Sequence, residues 1–356
     1  MSLQYLEEWE VVHDEAVWQL AWTRHGVVAA RASGELDVID VSDAQIRQKN
    51  HDVHDIGVVS LSCSANEALL LTNSMDGRVA LWQWDERHTL QVIAQTPSVR
   101  GQVVDGEPVH AEAWTTTLHP DGALFAAAGE GASVVLYSAA PESFGQALER
   151  LPMEGVDAGT YALTLEFNRE GELLAMGTNT GSVYVWDMTS RTLLLSISEH
   201  AEPVRTLSFA APHTSFADHL FIGSDDRTTT VHDVQAIRRQ FHGHAITALQ
   251  GHKGWILDVQ AGGDGRIVAT WYVDDTHTSS SDATVRLWDL GASPVACVSS
   301  ITLGRPVWCV AWCPKEAPTS QAPEISTRLL APGTRFVASG DDGVVRLYRN
   351  AGANST

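Results

Sequence analysis

Cysteine is scarce in this sequence. Four cysteines occur among 356 residues. Cys309 and Cys313 are four positions apart, without the paired C-x-x-C or the histidine spacing that zinc sites use, and Cys63 and Cys297 stand singly. We therefore predict no disulfide framework, and we interpret Cys309 and Cys313 as small core residues.

Basic residues and long apolar runs are also few. The chain has 23 Lys and Arg against 44 Asp and Glu, a net charge of -21, which would repel a phosphate backbone and disfavours direct binding of nucleic acid. The first residues, MSLQYLEEW, carry acids where a secretory signal carries a basic and then an apolar region, and no apolar run reaches membrane-spanning length. We expect a soluble intracellular protein without membrane contact.

The common catalytic motifs are missing as well. The sequence contains no nucleophile elbow, no G-x-x-x-x-G-K-[ST] phosphate loop and no H-E-x-x-H pair. The segment HGHAITALQGH supplies His242, His244 and His252, but it has no acidic residue or cysteine at ligand spacing. These absences predict a protein that is not an enzyme and has no cofactor or metal.

What the sequence does contain is a repeat. A turn residue, an alternating apolar strand and, in most copies, an aromatic residue recur along the chain, which is typical of a strand after a tight hairpin. The copies are SGELDVID (33–40), DGRVALWQ (76–83), GASVVLYS (131–138), TGSVYVWD (180–187), DRTTTVHD (226–233), DATVRLWD (282–289) and DGVVRLYR (342–349).

A second strand precedes each copy. These strands are AVWQLAW (16–22), VVSLSC (58–63), AWTTTL (113–118), ALTLEF (162–167), VRTLSF (204–209), ILDVQA (256–261) and VWCVAW (307–312). The copies start 43 to 60 residues apart, which fits a unit of about four strands. Alternation with Leu20 and Val310 predicts that Trp22 and Trp312 are core residues.

The repeats resemble the WD-repeat family. The residues that carry this resemblance are Trp186-Asp187, Trp288-Asp289 and the pair Gly251-His252. It implies an all-β fold, a single seven-bladed β-propeller over residues 1–350, closed by the N-terminal strand YLEEWEVV (5–12). Residues 315–333 are expected to form a flexible proline-rich inserted loop and 351–356 a disordered tail, with further insertions at 97–110 and 272–281.

In this family a histidine, an aspartate and a tryptophan form a hydrogen-bonded brace within a blade. The resemblance assigns this role to two sets, His54 with Asp76 and Trp82, and His252 with Asp282 and Trp288. His232 and Tyr348 replace the tryptophan in the fifth and seventh blades, which we therefore expect to be looser.

Aligned on their core positions, the inner strands share one site near their start. It is occupied by Trp18, Val59, Trp114, Leu163, Arg205, Leu257 and Trp308, and Tyr161 and Trp255 lie two residues earlier in their blades. Strict alternation would turn Trp18 to the same side as Leu20 and Trp22, and make it part of the blade packing. Alternatively, Trp255, Trp308 and Trp18, from consecutive blades, form one exposed apolar surface, a feature that marks binding sites.

The loops that enter the inner strands are acidic. They carry Asp14, Glu15, Asp55, Glu112, Asp157 and Glu202, against Lys253 and Arg305. An aromatic floor with an acidic rim suits a peptide that presents an arginine and a hydrophobic side chain. A phosphate reader needs basic loops, and a methyl-lysine reader needs a closed aromatic cage, so both are less favoured.

Several segments also resemble the small WD-repeat subunit of the superkiller (Ski) complexes of fungi. They are HDEAVWQLAW (13–22), IGVVSLSCS (56–64), HAEPVRTLSF (200–209) and SSDATVRLWDLG (280–291). This resemblance implies a non-catalytic scaffold that binds the tetratricopeptide and helicase subunits of that complex, which supports 3′ to 5′ decay of cytoplasmic mRNA by the exosome. It implies a cytoplasmic location and allows a nuclear pool.

The resemblance also implies alternatives and a site. A nuclear role would be a scaffold in the polymerase-associated factor complex, or in meiotic recombination through a DNA-break protein with a Gln-Arg-x-x-hydrophobic motif. The residues implied to bind partners are Trp18, Trp114, Tyr161, Arg205, Trp255, Trp308, Asp14 and Glu15.

Overall fold

The computed structural model of this chain is built from β-strands arranged in seven four-stranded antiparallel sheets and one two-stranded pair. It describes residues 4–96, 103–104, 107–108, 114–153, 156–157, 159–217, 219–236, 244–263, 266–273, 283–303, 305–314 and 335–351. The expected loop at 315–333 lies outside the described residues, as do 352–356 of the expected tail at 351–356, 274–281 of the insertion at 272–281 and most of the insertion at 97–110.

The first three blades follow an N-terminal strand, β1 (Tyr5–Val12). Blade 1 comprises β2 (Val17–Thr23), β3 (Gly26–Arg31), β4 (Leu36–Asp40) and β5 (Gln45–Asn50). Blade 2 comprises β6 (Val58–Cys63), β7 (Leu69–Ser74), β8 (Val79–Trp84) and β9 (Leu90–Thr96). After the short pair β10 (Val103–Val104) and β11 (Glu107–Pro108), blade 3 comprises β12 (Thr115–Leu118), β13 (Leu124–Ala128), β14 (Val135–Ser138) and β15 (Ala147–Arg150), with a 3₁₀ turn at Pro141–Ser143.

The next blades repeat this order. Blade 4 comprises β16 (Ala162–Phe167), β17 (Leu173–Thr178), β18 (Val183–Asp187) and β19 (Thr192–Ile197). Blade 5 comprises β20 (Val204–Phe209), β21 (His219–Ser224), β22 (Thr228–Asp233) and β23 (Thr247–Gln250). Blade 6 comprises β24 (Trp255–Ala261), β25 (Ile267–Val273), β26 (Thr284–Asp289) and β27 (Ala296–Thr302), and blade 7 contains β28 (Val307–Trp312), β29 (Arg335–Gly340) and β30 (Val344–Asn350).

The outer strand of blade 7 comes from the other end of the chain. β1 pairs antiparallel with β30, from Tyr5 opposite Asn350 to Val12 opposite Val344. The inner strands β2, β6, β12, β16, β20, β24 and β28 each contact the next, and β28 contacts β2, so the sheets form a closed ring. The expected seven-bladed β-propeller, closed by the N-terminal strand, is confirmed.

The hydrophobic core lies between neighbouring blades. Trp22 of blade 1, for example, is buried in a cluster with Cys309, Val337 and Leu347 of blade 7. Trp312 is likewise buried with Trp271 of blade 6. The prediction that Trp22, Trp312, Cys309 and Cys313 are core residues is therefore confirmed. All four cysteines are free thiols, with Cys297 exposed.

Polar side chains join the inner strands around the central channel. The Ser62 hydroxyl accepts the Leu118 N–H at 2.9 Å, and the Thr206 hydroxyl accepts the Val259 N–H at 3.1 Å. Each bond satisfies a backbone donor on the free edge of an inner strand with a side chain of the preceding blade. The inner strands are thus held at fixed positions around the ring, and the loops at their ends are fixed with them.

Candidate functional site

The top face is defined here as the end of the propeller where the inner strands begin. The hairpins between the second and third strands of the blades lie at this end too. The Met75 N–H, in the hairpin between β7 and β8, donates to the Gly57 carbonyl in the loop before β6, at 3.1 Å. Side chains from these two kinds of loop therefore share one surface.

The aligned position near the start of the inner strands is a β-bulge. In six of the seven inner strands the ladder skips one residue, which has no partner on the second strand. The skipped residues are Trp18, Val59, Leu163, Arg205, Leu257 and Trp308. In blade 3 the equivalent Trp114 directly precedes β12.

The bulge decides between the two interpretations of the tryptophans. A bulge inserts one residue into the strand, so the alternation that governs Leu20 and Trp22 does not extend to Trp18. Burial follows this break: Val17, Val204, Ile256 and Val307 are buried, whereas the bulged residues are half-buried or exposed. The bulged side chains are therefore not part of the blade packing.

Three tryptophans at the aligned position or two residues before it are exposed. Trp114 is 44% exposed, Trp308 37% and Trp255 36%, large values for an indole side chain. Trp255 and Trp308 lie on the neighbouring blades 6 and 7, and Trp114 lies on blade 3. Tyr161 is half-buried, and its backbone forms an isolated antiparallel β-bridge with Glu130 of blade 3.

Trp18 is half-buried because it leans on the next blade. A Cβ atom placed on Gly57 would lie 2.1 Å from the Trp18 ring, so the indole packs directly on the backbone of the loop before β6. The neighbouring Gln19 side chain donates to the Val59 carbonyl at 3.3 Å. Trp18 thus joins blade 1 to blade 2 as well as contributing to the top face.

The apolar surface continues onto blade 2 through two residues that the sequence analysis missed. Ile56 is 44% exposed and Met75 is 52% exposed, and both flank the Gly57 backbone on which Trp18 rests. Ile56 and Met75 are aliphatic and lie in loops, so they do not share the aromatic pattern of the aligned position. Their sequence signal was only an apolar residue within a polar loop.

Arg205 is held in place by its own blade. Its Nε–H donates a bifurcated hydrogen bond to both oxygens of the Asp225 carboxylate at 3.0 Å, and Nη2 donates to Asp225 Oδ2 at 2.8 Å. Its Cζ also lies 5.7 Å from the centre of the Trp255 ring, in a cation–π arrangement. Arg205 therefore fixes Trp255, and one face of that indole is occupied by a cation from the protein itself.

The acidic rim is partly neutralised by buried Arg31. The Arg31 guanidinium contacts Asp14 at 2.7 Å and Glu15 at 3.2 Å, and it also pairs with Glu35 and Asp37. Glu15 accepts a further bond from Ser33, whereas the Asp14 side chain is 87% exposed. Of the two predicted acids, Asp14 is the one open to a partner.

Other acids of the rim differ in the same way. Asp55 pairs with Arg78 at 2.7 Å, while Asp157 and Glu202 are exposed, and Glu112 lies outside the described residues. The loops that enter the inner strands carry more acids than cations, but Arg31 and Arg78 from the neighbouring hairpins neutralise part of that negative charge. The rim remains acidic at Asp14, Asp157 and Glu202.

The brace of blade 2 runs through a residue that the sequence analysis did not assign. Thr72 Oγ1 lies 2.7 Å from His54 Nε2 and accepts the Trp82 Nε1–H at 2.9 Å. Asp76 accepts the backbone N–H of Asp55 and does not bond the His54 ring. Asp76 thus does not make the expected direct contact with His54. It bonds the backbone of the loop that follows His54.

Blade 6 has the same arrangement around Thr270. His252 Nε2 lies 2.6 Å from Thr270 Oγ1, which also accepts the Trp288 Nε1–H at 2.7 Å. Asp282 lies outside the described residues. Burial lowers the pKa of His54 to about 4 and that of His252 to about 3, so both rings are neutral at physiological pH.

Blade 5 keeps the brace although it lacks the tryptophan. His200 contacts Asp226 at 2.7 Å and Thr230 at 2.8 Å, and His232 Nε2 lies 3.1 Å from the same Thr230 hydroxyl. A histidine nitrogen thus takes the place of the indole N–H. The brace contacts that we expected to be looser in this blade are present.

In the described part of the chain, no group of three or more His, Cys, Asp or Glu residues could hold a metal ion. His244 contacts Glu199, and His242 is not described. None of the described helices is long and apolar enough to cross a membrane.

Comparison with known proteins agrees with the fold. A family model for the WD domain, G-beta repeat, matches residues 45–83 and 238–289. The chain therefore contains WD repeats. Proteins of this type generally act as non-catalytic interaction scaffolds.

Two relatives that match along most of the chain are named as WD-repeat proteins. The chain is 27% identical over 282 residues to WD repeat-containing protein VIP3 of Arabidopsis thaliana, covering 76% of this chain and 81% of the relative. It is 24% identical over 230 residues to WD repeat-containing protein SL1-17 of Schistosoma mansoni, covering 63% and 68%. A shorter match, 36% over 93 residues, is to the retinoblastoma-binding protein 5 homolog of Drosophila melanogaster, covering 26% and 18%.

Proposed function

We propose that this WD-repeat protein is the scaffold subunit of a superkiller complex and binds a short peptide segment of its partners on the top face. The observation that carries the proposal of a peptide site is the row of bulges. Bulges at one position of neighbouring inner strands hold Trp308 and Trp18 out of the blade packing, and Trp255 stands beside them on blade 6. Rigid strands, rather than mobile loops, therefore present the apolar floor.

The chemistry of this surface favours a peptide with an arginine and a hydrophobic side chain. Aromatic residues in partly exposed positions are typical anchors of protein interfaces. Asp14, whose side chain is 87% exposed, lies four residues before Trp18 in the chain and is placed to accept a charge-assisted hydrogen bond from a guanidinium. The Trp255 face held by Arg205 is already occupied, so the incoming cation is assigned to the Asp14 side of the surface.

The proposed partners follow from the resemblance of the sequence. They are the tetratricopeptide and helicase subunits of the complex, with a role in exosome-dependent decay of cytoplasmic mRNA. The alternative is a nuclear role, in the polymerase-associated factor complex or with a meiotic DNA-break protein that carries the Gln-Arg-x-x-hydrophobic motif. The proposed location is the cytoplasm, with a nuclear pool if the alternative role applies.

A binding measurement tests the site. We expect a fluorescent peptide that carries the Gln-Arg-x-x-hydrophobic motif to bind the wild-type protein and to bind Trp308→Ala at least about tenfold more weakly, because truncating an aromatic anchor removes about 2 kcal/mol or more. Fluorescence anisotropy at constant ionic strength provides the readout.

Leu148→Ala is the matched control, since Leu148 is an exposed hydrophobic residue on the outer strand β15. Equal binding by the wild type, Trp308→Ala and Leu148→Ala would place the peptide elsewhere. The assignment to a complex is tested separately, by mass spectrometry of the proteins that co-purify from the native cell. Absence of a helicase and a tetratricopeptide protein from the wild-type sample would refute that assignment.

A further inference from the structure

Two histidines meet at the end of the propeller opposite the top face. His25 lies in the turn between β2 and β3 of blade 1, and His88 lies in the turn between β8 and β9 of blade 2. Their Nδ1 atoms are 2.8 Å apart. The residues are 63 positions apart in the sequence, so only the packing of neighbouring blades brings them together.

Two short turns and a tryptophan hold this pair. The His25 ring lies 4.9 Å from the Trp84 ring and 4.9 Å from the His88 ring, measured between centroids. His88 has a left-handed backbone with φ of 59°, in a turn closed by its N–H on the Asp85 carbonyl at 3.0 Å. The Asp85 side chain accepts the Thr89 N–H at 2.8 Å, which fixes the same turn.

Arg24, the cation next to His25 in the sequence, is held by the neighbouring loop. Arg24 is drawn toward the neighbouring loop by Glu67 at 3.6 Å and by the Asn66 carbonyl at 2.6 Å. A neutral imidazole nitrogen is a common ligand of late first-row metals.

The separation of the two nitrogens matches a known coordination geometry. Two imidazole nitrogens at about 2.0–2.1 Å from one metal, at right angles to each other, are about 2.9 Å apart. Right-angled ligands occur in square-planar and octahedral sites, which Ni²⁺ and Cu²⁺ prefer. Tetrahedral Zn²⁺ would require the nitrogens to move apart by about 0.5 Å.

We propose that His25 and His88 form a two-nitrogen site for a late first-row divalent cation, with Ni²⁺ and Cu²⁺ as the best fit, and that the bound cation links blade 1 to blade 2. In the described part of the chain no third ligand joins them, so water completes the coordination shell. The ring that donates through Nδ1 changes tautomer when the cation binds: its Nδ1 proton is released to water and Nε2 takes up a proton from water, so both imidazoles stay neutral. This site is independent of the proposed peptide site, because it lies at the other end of the propeller.

Calorimetry with nickel chloride on the full chain, after removal of any polyhistidine tag, tests the site. We expect the wild type to bind Ni²⁺, and His88→Gln to lose at least about tenfold in affinity for one equivalent, because a single imidazole remains. The matched control is His213→Gln, since the His213 side chain is 87% exposed, at a distant turn of blade 5. The control is expected to bind like the wild type.

Electron paramagnetic resonance with Cu²⁺ gives a second readout that does not depend on stability. The wild type should show the nitrogen hyperfine pattern of two imidazole ligands, and both His88→Gln and His25→Gln the pattern of one. Unchanged Ni²⁺ affinity and an unchanged Cu²⁺ spectrum in both variants would overturn the proposal, and the 2.8 Å contact would then be a histidine hydrogen bond only.

Discussion

At the scale of single residues, a threonine hydroxyl connects the two rings of the brace in this chain. Thr72, Thr230 and Thr270 each stand between a histidine and the ring that follows it in the blade. The histidine ties the loop on the top face to the third strand through this hydroxyl. The brace therefore holds the loop that enters the inner strand at a fixed position relative to the blade.

Replacing Thr72 with valine tests this connection. Thr72→Val keeps the shape of the side chain but leaves the buried His54 Nε2 and Trp82 Nε1 without their shared partner. We expect the free energy of unfolding to fall by about 2–4 kcal/mol, the penalty for two unsatisfied buried polar groups. Urea denaturation followed by tryptophan fluorescence measures it.

Thr229→Val is the control for that substitution. Thr229 is also fully buried in a strand, but its hydroxyl has no hydrogen-bond partner among the described residues. Its replacement should be neutral or slightly stabilising. An equal loss in both variants would mean that the hydroxyl of Thr72 contributes no more than an unbonded one.

At the scale of elements, the bulges near the start of the inner strands set the character of the top face. A regular strand would bury Trp18 beside Leu20, whereas the inserted residue frees the indole to lie across Gly57 of the next blade. The same device presents Trp308 and Arg205 on their blades. The bulge, rather than the aromatic residue itself, makes this position a surface.

A methyl group at Gly57 tests the contact with Trp18. The added Cβ would meet the indole at 2.1 Å, so Gly57→Ala must displace the ring. We expect a loss of about 1–3 kcal/mol in the free energy of unfolding, typical of overpacking. Chemical denaturation of the single variants Gly57→Ala and Trp18→Ala and of the double variant measures the coupling.

In the Trp18→Ala background the clash is absent, so Gly57→Ala should then cost less by about 1 kcal/mol or more. Identical costs in both backgrounds would show that the glycine serves its own loop and not the tryptophan.

At the scale of the whole molecule, half-buried carboxyl groups in the channel wall make the ring sensitive to pH. Burial, together with the nearby Asp258, raises the pKa of Glu166 to about 8. Burial also raises the pKa of Asp258 to about 7, although Thr206 and the Val259 N–H bond its carboxylate. The two residues lie on β16 and β24, on either side of β20, so their ionisation acts between blades.

The direction of the pH dependence follows from these shifts. The unfolded chain releases these protons near pH 4, whereas the folded protein holds them up to about pH 7 to 8. The contribution of the carboxyl groups to stability is therefore complete below about pH 4 and is lost as the pH rises from about 4 to about 8. The buried histidines act in the opposite direction: their contribution is complete above about pH 6.5 and is lost as the pH falls toward about 4.

Glu166→Gln separates the two effects. We compare the free energy of unfolding of the variant with that of the wild type at pH 5 and at pH 8. The difference should shift in favour of the variant by about 1–3 kcal/mol between these pH values, because the amide cannot ionise. Urea denaturation at both pH values gives the comparison. A difference that does not change between the two pH values would mean that Glu166 has an ordinary pKa.

The repeated unit, the number of blades and the closure by the N-terminal strand were all predictable from the amino-acid sequence. This is possible because alternating strands and turn residues are local signals, and each blade repeats them. Core residues such as Trp22 and Trp312 followed from the same alternation. The tertiary structure decided which side chains face outward, because a bulge interrupts the alternation without leaving a mark in the residue types. It also decided the partners of Arg31, Arg205 and His25, since these contacts join segments from separate turns and blades, and only the closed ring sets their distances.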